Sequence, residues 1–149
     1  MADDSIVGAW ELVSDSRVAI AIFTGSHYAF VGAPKDRRRS AGNQATPDEA
    51  LEALNACPAL AGTYTVSGSR ITQIRVANTR PNLSGRPAVV DYTIDGDILT
   101  STGVSGGAAA PGAVSTWRRL RDGGAGSPLV GAWEMVDDTE QGVLIFTGT

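Results

Sequence analysis

Between Val7 and Leu120 no hydrophobic pattern lasts long: apolar or alternating runs of about five to nine residues are each cut off by a turn signal. The runs lie at 7–14, 17–24, 27–32, 61–67, 70–77, 87–95, 98–102 and 113–120. Eight short strands in close succession cannot make the long crossovers of a parallel sheet, so they predict antiparallel neighbours in a barrel or sandwich. "TGS" at 24–26, "SGS" at 67–69 and "DGD" at 95–97 supply the hairpin turns. Asp95-Gly96 is the strongest of these, because that pair tolerates the positive φ of a type I′ turn.

One stretch follows helix chemistry instead: "TPDEALEALNACPAL". Thr46 can cap, Pro47 suits the first helical position, and Glu49 stands three residues after Thr46 to complete a capping box. Ala50, Leu51 and Leu54 form a short apolar stripe, and Pro58 ends the segment. The expectation is one helix of about ten residues between the third and fourth strands, packed as a plug over one barrel end or serving as a lid. The fold class is therefore all-β, an eight-stranded antiparallel up-and-down barrel with one short helix.

Composition narrows the function. A net charge of -4 argues against a nucleic-acid surface, and "KDRRRS" at 35–40 reads as a solvated loop. One cysteine, Cys57, and one histidine, His27, exclude an internal disulfide and the usual zinc constellations, so neither metal nor cofactor is expected. The opening "MADDSIVGAW" is acidic and lacks an apolar signal core, and no run reaches a membrane span. A cytoplasmic protein without membrane partners is the expectation. Gly103, Ser105 and Gly107 match G-x-S-x-G formally, but the run lacks the following helix and the later histidine that a nucleophile elbow requires.

The end of the chain nearly repeats its start. At an offset of 123, residues 7–26 match at Val7, Gly8, Ala9, Trp10, Glu11, Val13, Asp15, Ile22, Phe23, Thr24 and Gly25, without a gap. The expected organisation is a barrel over 1–121, a Gly-rich linker over 122–128 and a partial repeat of the first two strands over 129–149. Three arrangements follow for the repeat: the front of a tandem second barrel, a hairpin that replaces or covers the chain's own first strands, or a swapped homodimer. The tandem is favoured, since the copy keeps the Gly-x-Trp that a complete barrel would use.

An opening "GAW", a closing "TWRRL", and the segments "AGTYTVSGSRITQIRV" and "AVVDYTIDGDILT" with a capped helix ahead of them resemble the bacterial lipocalin-like family of calycin barrels. The resemblance covers roughly residues 5 to 121. It implies that Gly8 and Trp10 form the signature at the closed end, and that an arginine of the last strand lies over the tryptophan. Arg119 matches that arginine, with Arg118 as the alternative. It also implies a pocket for a small, largely apolar molecule.

Alternation places residues around that pocket. Val90, Tyr92 and Ile94 share one face, as do Tyr64 and Val66, and Tyr28 shares a face with Phe30. "RITQIRVA" sorts onto no clean face; placing Gln73 and Arg75 inward puts polar groups inside the barrel, which are costly there unless paired. Trp117 shares the inner face with Arg119. The expected ligand-binding residues are Tyr28, Phe30, Tyr64, Gln73, Arg75, Tyr92 and Trp117. The function expected is binding of a small apolar, partly oxygenated molecule. The alternatives are a cofactor-free cyclase or isomerase of polyketide-like natural products, with Tyr64, Arg75, Tyr92 or His27 as catalytic candidates, and an assembly role through the C-terminal hairpin.

Overall fold

The structure, a computed structural model, describes residues 6–107 and 109–120 together with two strands at 131–134 and 143–146. The 122–128 linker lies outside the described residues. Eight strands close into one antiparallel barrel: β1 (Gly8–Leu12), β2 (Arg17–Phe23), β3 (His27–Pro34), β4 (Ala59–Ser67), β5 (Arg70–Asn78), β6 (Pro87–Asp95), β7 (Ile98–Ser105) and β8 (Val114–Leu120). Each pairs with the next, and β8 returns to β1. A helix, α1 (Pro47–Ala56), lies between β3 and β4, and a short 3-10 turn spans Pro81–Leu83. No helix among the described residues is long and apolar enough to cross a membrane.

Two-residue alternation decides what enters the barrel. Along β2, Ala19, Ala21 and Phe23 are buried while Val18 and Ile20 are exposed. On β4 and β6, Tyr64 and Tyr92 join the same core as Trp10, Tyr28, Ile71, Leu99 and Trp117. Small and large side chains alternate around the wall. One rung of cross-strand partners runs Gly8, Phe23, Tyr28, Gly62, Arg75 through five strands, and the next begins Trp10, Ala21, Phe30, Leu60.

Local chemistry sets the helix and the turns. Thr46 accepts from the Glu49 backbone N–H, and the Glu49 carboxylate accepts in turn from the Thr46 N–H at 2.8 Å. Backbone hydrogen bonds to its oxygens from the Thr46 and Ala41 N–H groups hold the Glu49 carboxyl below its ordinary range. The stripe of α1 does not pack as a plug: no residue of the helix is buried, and Leu51 and Leu54 are 59% and 49% exposed. A ten-residue helix with two leucines gains little from burial, so caps and end contacts hold it, among them Arg17 Nη2 donating to Ala56 O at 2.9 Å. The β6–β7 turn also differs from expectation. Asp95 still pairs with Ile98, so the central residues are Gly96 and Asp97, and of these Gly96 alone has positive φ. That is the pattern of a II′ turn, not the I′ turn expected at Asp95-Gly96.

The β1–β8 seam closes the barrel. Trp10 faces Arg119 across it, and the Arg119 guanidinium lies 4.1 Å from the centre of the indole. Trp10 is fully buried and donates through Nε1 to Ile6 O at 2.9 Å, while Arg119 Nη1 donates to Val7 O at 3.0 Å. Arg118 points outward and pairs with Glu11. Gly8 makes this closure feasible, because its φ of 134° is closed to L side chains and a Cβ there would sit 3.1 Å from Arg119 Nη1.

Beyond the barrel, β9 (Gly131–Glu134) and β10 (Val143–Phe146) form a separate two-stranded sheet. Gly131, Ala132, Trp133 and Glu134 face Phe146, Ile145, Leu144 and Val143, position for position the pairing of Gly8, Ala9, Trp10 and Glu11 with Phe23, Ile22, Ala21 and Ile20.

Gly8→Ala is expected to destabilise the protein by about 1–3 kcal/mol through backbone strain at this position. The measurement is the denaturant midpoint; an unchanged midpoint would mean that the backbone here is free to relax.

Candidate ligand-binding site

The barrel's two ends differ. Ile6, Trp10, Arg119 and the three short turns after β2, β4 and β6 close one end. The long connections, including α1 and the 3-10 turn, gather at the other. Between them the wall is aromatic: Phe23 stacks on Tyr28 with centroids 6.1 Å apart, Tyr64 meets Phe23 edge-on at 5.2 Å, and Phe30 meets Trp117 edge-on at 5.9 Å. Trp117 Nε1 donates to Ser101 Oγ at 3.1 Å, and the Tyr64 hydroxyl donates to Thr24 O.

Arg75 breaks the apolar pattern. It is 3% exposed, and no carboxylate pairs with it among the described residues. Nη2 donates to Gly106 O at 2.9 Å and Nη1 more weakly to Arg86 O at 3.4 Å, so the guanidinium ties the β5–β6 and β7–β8 connections together. Among the described residues its Nε–H has no acceptor. Tyr28, 1% exposed, likewise has a hydroxyl without a partner among the described residues.

These two residues occupy one rung. Tyr28 and Arg75 flank Gly62 on adjoining strands, about 10 Å apart along the backbone and with no side chain between them. Gly62 can be nothing larger, since a Cβ there would sit 1.9 Å from the Ile74 carbonyl oxygen, where a bulge shifts the β4–β5 register. Burial pushes the Tyr28 phenol up to about 12, and the positive charge of Arg75 opposes that shift. The phenol is therefore neutral at physiological pH and can donate a hydrogen bond.

Among the other residues expected at the site, Tyr92 is buried in the core and Phe30 and Gln73 are partly buried, with Gln73 facing Tyr64 across the β4–β5 ladder. His27 opens β3 on the opposite face from Tyr28, with Nδ1 2.8 Å from Ser26 Oγ. The structure does not bring it to the Tyr28–Arg75 pair. Gly62 went unnoticed in the sequence, although a glycine inside a strand is itself a mark of a bulge or close approach.

Two hollows adjoin these elements. A notch of about 10 Å³, lined by Leu60, Arg75, Asn78 and Leu83 among others, leaves room for one water beside the guanidinium. A concavity of about 630 Å³ lies against the outer wall, with Val18, Ile20 and Val31 in its lining and Glu11 and Arg118 beside them. No protein-family model matches the chain, and no curated protein matches it.

Tyr28→Phe is expected to leave stability at neutral pH unchanged or to raise it by up to about 1 kcal/mol, because the deleted hydroxyl has no partner to lose. The folded-state pKa lies above that of the unfolded chain, so the contribution is complete below pH 10 and is lost as pH rises towards 12. Wild-type stability should fall across that window by at most about 3 kcal/mol from this residue, and Tyr28→Phe should lack that component. Denaturation at stepped alkaline pH measures it; identical profiles would place the phenol in water.

Proposed function

We propose that the barrel interior binds a small, largely apolar molecule bearing oxygen, and that the barrel is of the lipocalin-like kind its sequence resembles. The observation that carries this reading is the pair of unmet polar groups, Arg75 Nε–H and Tyr28 Oη, sealed in one rung of an aromatic wall. Aromatic side chains offer burial to an apolar body, and a few placed polar groups fix its orientation. Entry is at the end with the long connections. α1 belongs to one of these connections and buries no residue of its own, so moving it forfeits little apolar contact.

Native mass spectrometry of the purified protein, followed by denaturation, tests the reading. The expected result is a released compound in stoichiometric amount, or uptake of one from a panel of apolar oxygenated metabolites. A protein that arrives empty and takes up none of the panel would overturn it. Release of a compound chemically altered from the one supplied would instead identify a cyclase or isomerase working in the same pocket.

A second reading concerns assembly. The outer faces of β1 to β3 carry Ala9, which is buried, and the half-buried Ile22 and Ala29, β10 lies beside β3, and Ile145 is partly buried. An isolated two-stranded hairpin is marginal in water, so β9 and β10 gain stability by resting on this apolar wall. Hydrogen exchange on the full chain checks this: Ile145→Asp should speed exchange of the Gly131–Glu134 and Val143–Phe146 amides and leave the barrel's protection intact. Equal protection in both proteins would remove the wall from the account.

A further inference from the structure

The pairing of β9 with β10 repeats that of β1 with β2, and the repetition extends to side chains that a hairpin alone does not need. In the barrel, Gly8 leaves room for Arg119, Trp10 lies under the Arg119 guanidinium, and Glu11 pairs with Arg118. Gly131, Trp133 and Glu134 stand at the matching positions of β9, while Ile145 and Phe146 match Ile22 and Phe23. A hairpin that only rested on the outer wall would have no use for a glycine and a tryptophan suited to meeting β8. The connection permits that meeting. Only residues 121–130 separate the end of β8 at Leu120 from the start of β9 at Gly131. A stretch of that length reaches up to about 33 Å, whereas adjacent strands lie about 5 Å apart.

We propose that β9 and β10 take the place of β1 and β2 in the same chain, so that one barrel has two alternative closures. In the second, Trp133 lies under Arg119, Glu134 faces Arg118, and β10, already beside β3, pairs with it in the antiparallel sense that β2 now has. The short connection keeps the hairpin at high effective concentration, which favours exchange within a chain over exchange between molecules. The two closures differ inside. Where β2 carries the inward Ala19, Ala21 and Phe23, the repeat carries Gly142, Leu144 and Phe146. Ala21 faces Phe30 across the ladder, so Leu144 in its place fills space beside the aromatic wall. Arg17, which ties the end of α1 through Ala56 O, is matched by Glu140, whose side chain has no N–H to give. Exchange thus narrows the interior and unties α1. Its bearing on binding rests on the interior being the ligand site, but the exchange itself does not.

Disulfide trapping in the full chain tests the exchange, with Cys57→Ser removing the native thiol. Glu11→Cys with Arg118→Cys should link the present closure, since these residues are cross-strand partners. Glu134→Cys with Arg118→Cys should also link, within one chain. Ala132→Cys with Arg118→Cys, two residues out of register, should link about tenfold more slowly or less. Adding Trp10→Ala should speed the 118–134 link by about tenfold or more, because loss of the buried indole weakens the present closure alone. Absence of the 118–134 link where the 11–118 link forms would overturn the proposal. So would equal rates for positions 132 and 134, the mark of random encounter, or a 118–134 rate that Trp10→Ala leaves unchanged. A 118–134 link found only between chains would overturn the closure within one chain in favour of a swapped dimer. Each of these outcomes leaves the interior ligand site to its own test.

Discussion

Closure of the barrel depends on the contact between Trp10 and Arg119. Every other strand pairing joins elements consecutive in the chain, whereas this seam brings together groups as far apart as Val7 and Arg119, 112 residues distant. Its loop-closure entropy is the largest in the fold, although that cost grows only slowly with length. Burial of the whole indole, a guanidinium on its face, and two hydrogen bonds that fasten Trp10 to Ile6 and Arg119 to Val7 offset it. Without the seam, β1 and β8 would be open edges. With it, the rung from Gly8 to Arg75 becomes part of a continuous wall, and the groups on that wall face a shared interior.

The same seam explains why two arginines adjacent in sequence have different fates. Arg118 points outward to Glu11 in solvent, where an ion pair contributes little. Arg119, one residue on, faces inward and meets the indole, the Val7 carbonyl and, at 3.8 Å, the Asp97 carboxylate. The strand's period of two makes this division, and a register slip of one residue would exchange the two.

Where structure is governed by neighbours in sequence, it could be read from sequence. The Thr46–Glu49 capping box, the alternation of β4 and β6 and the number of strands are of this kind, and each follows from contacts within a few residues or from the pleat itself. The mixed run of β5 could not be sorted, because Ile71, Gln73 and Arg75 on one face compete with Ile74 and Val76 on the other, and only the β4 partner decides between them. Long-range effects were equally hidden. The β4–β5 bulge arises where the Gly62 backbone meets Ile74, and the exposed stripe of α1 reflects the absence of a facing apolar surface, which no helical pattern can reveal. The site was thus half legible: the aromatic lining came from alternation, while the pairing of Tyr28 with Arg75 across Gly62 needed the register.

Arg75 is the place where the fold departs from its own rules. A latch between the β5–β6 and β7–β8 connections needs only the Nη atoms, and those are in use. Nothing in that role explains a buried Nε–H without an acceptor, and nothing in packing explains a tyrosine at position 28, since phenylalanine would fill the same volume without a stranded hydroxyl. Each unmet group costs stability, and the two occur together, on one rung, with the gap at Gly62 between them. Two independent defects of packing would have no reason to coincide. A sequence that satisfies its local rules elsewhere and breaks them at a single point marks that point as one where stability has been exchanged for function.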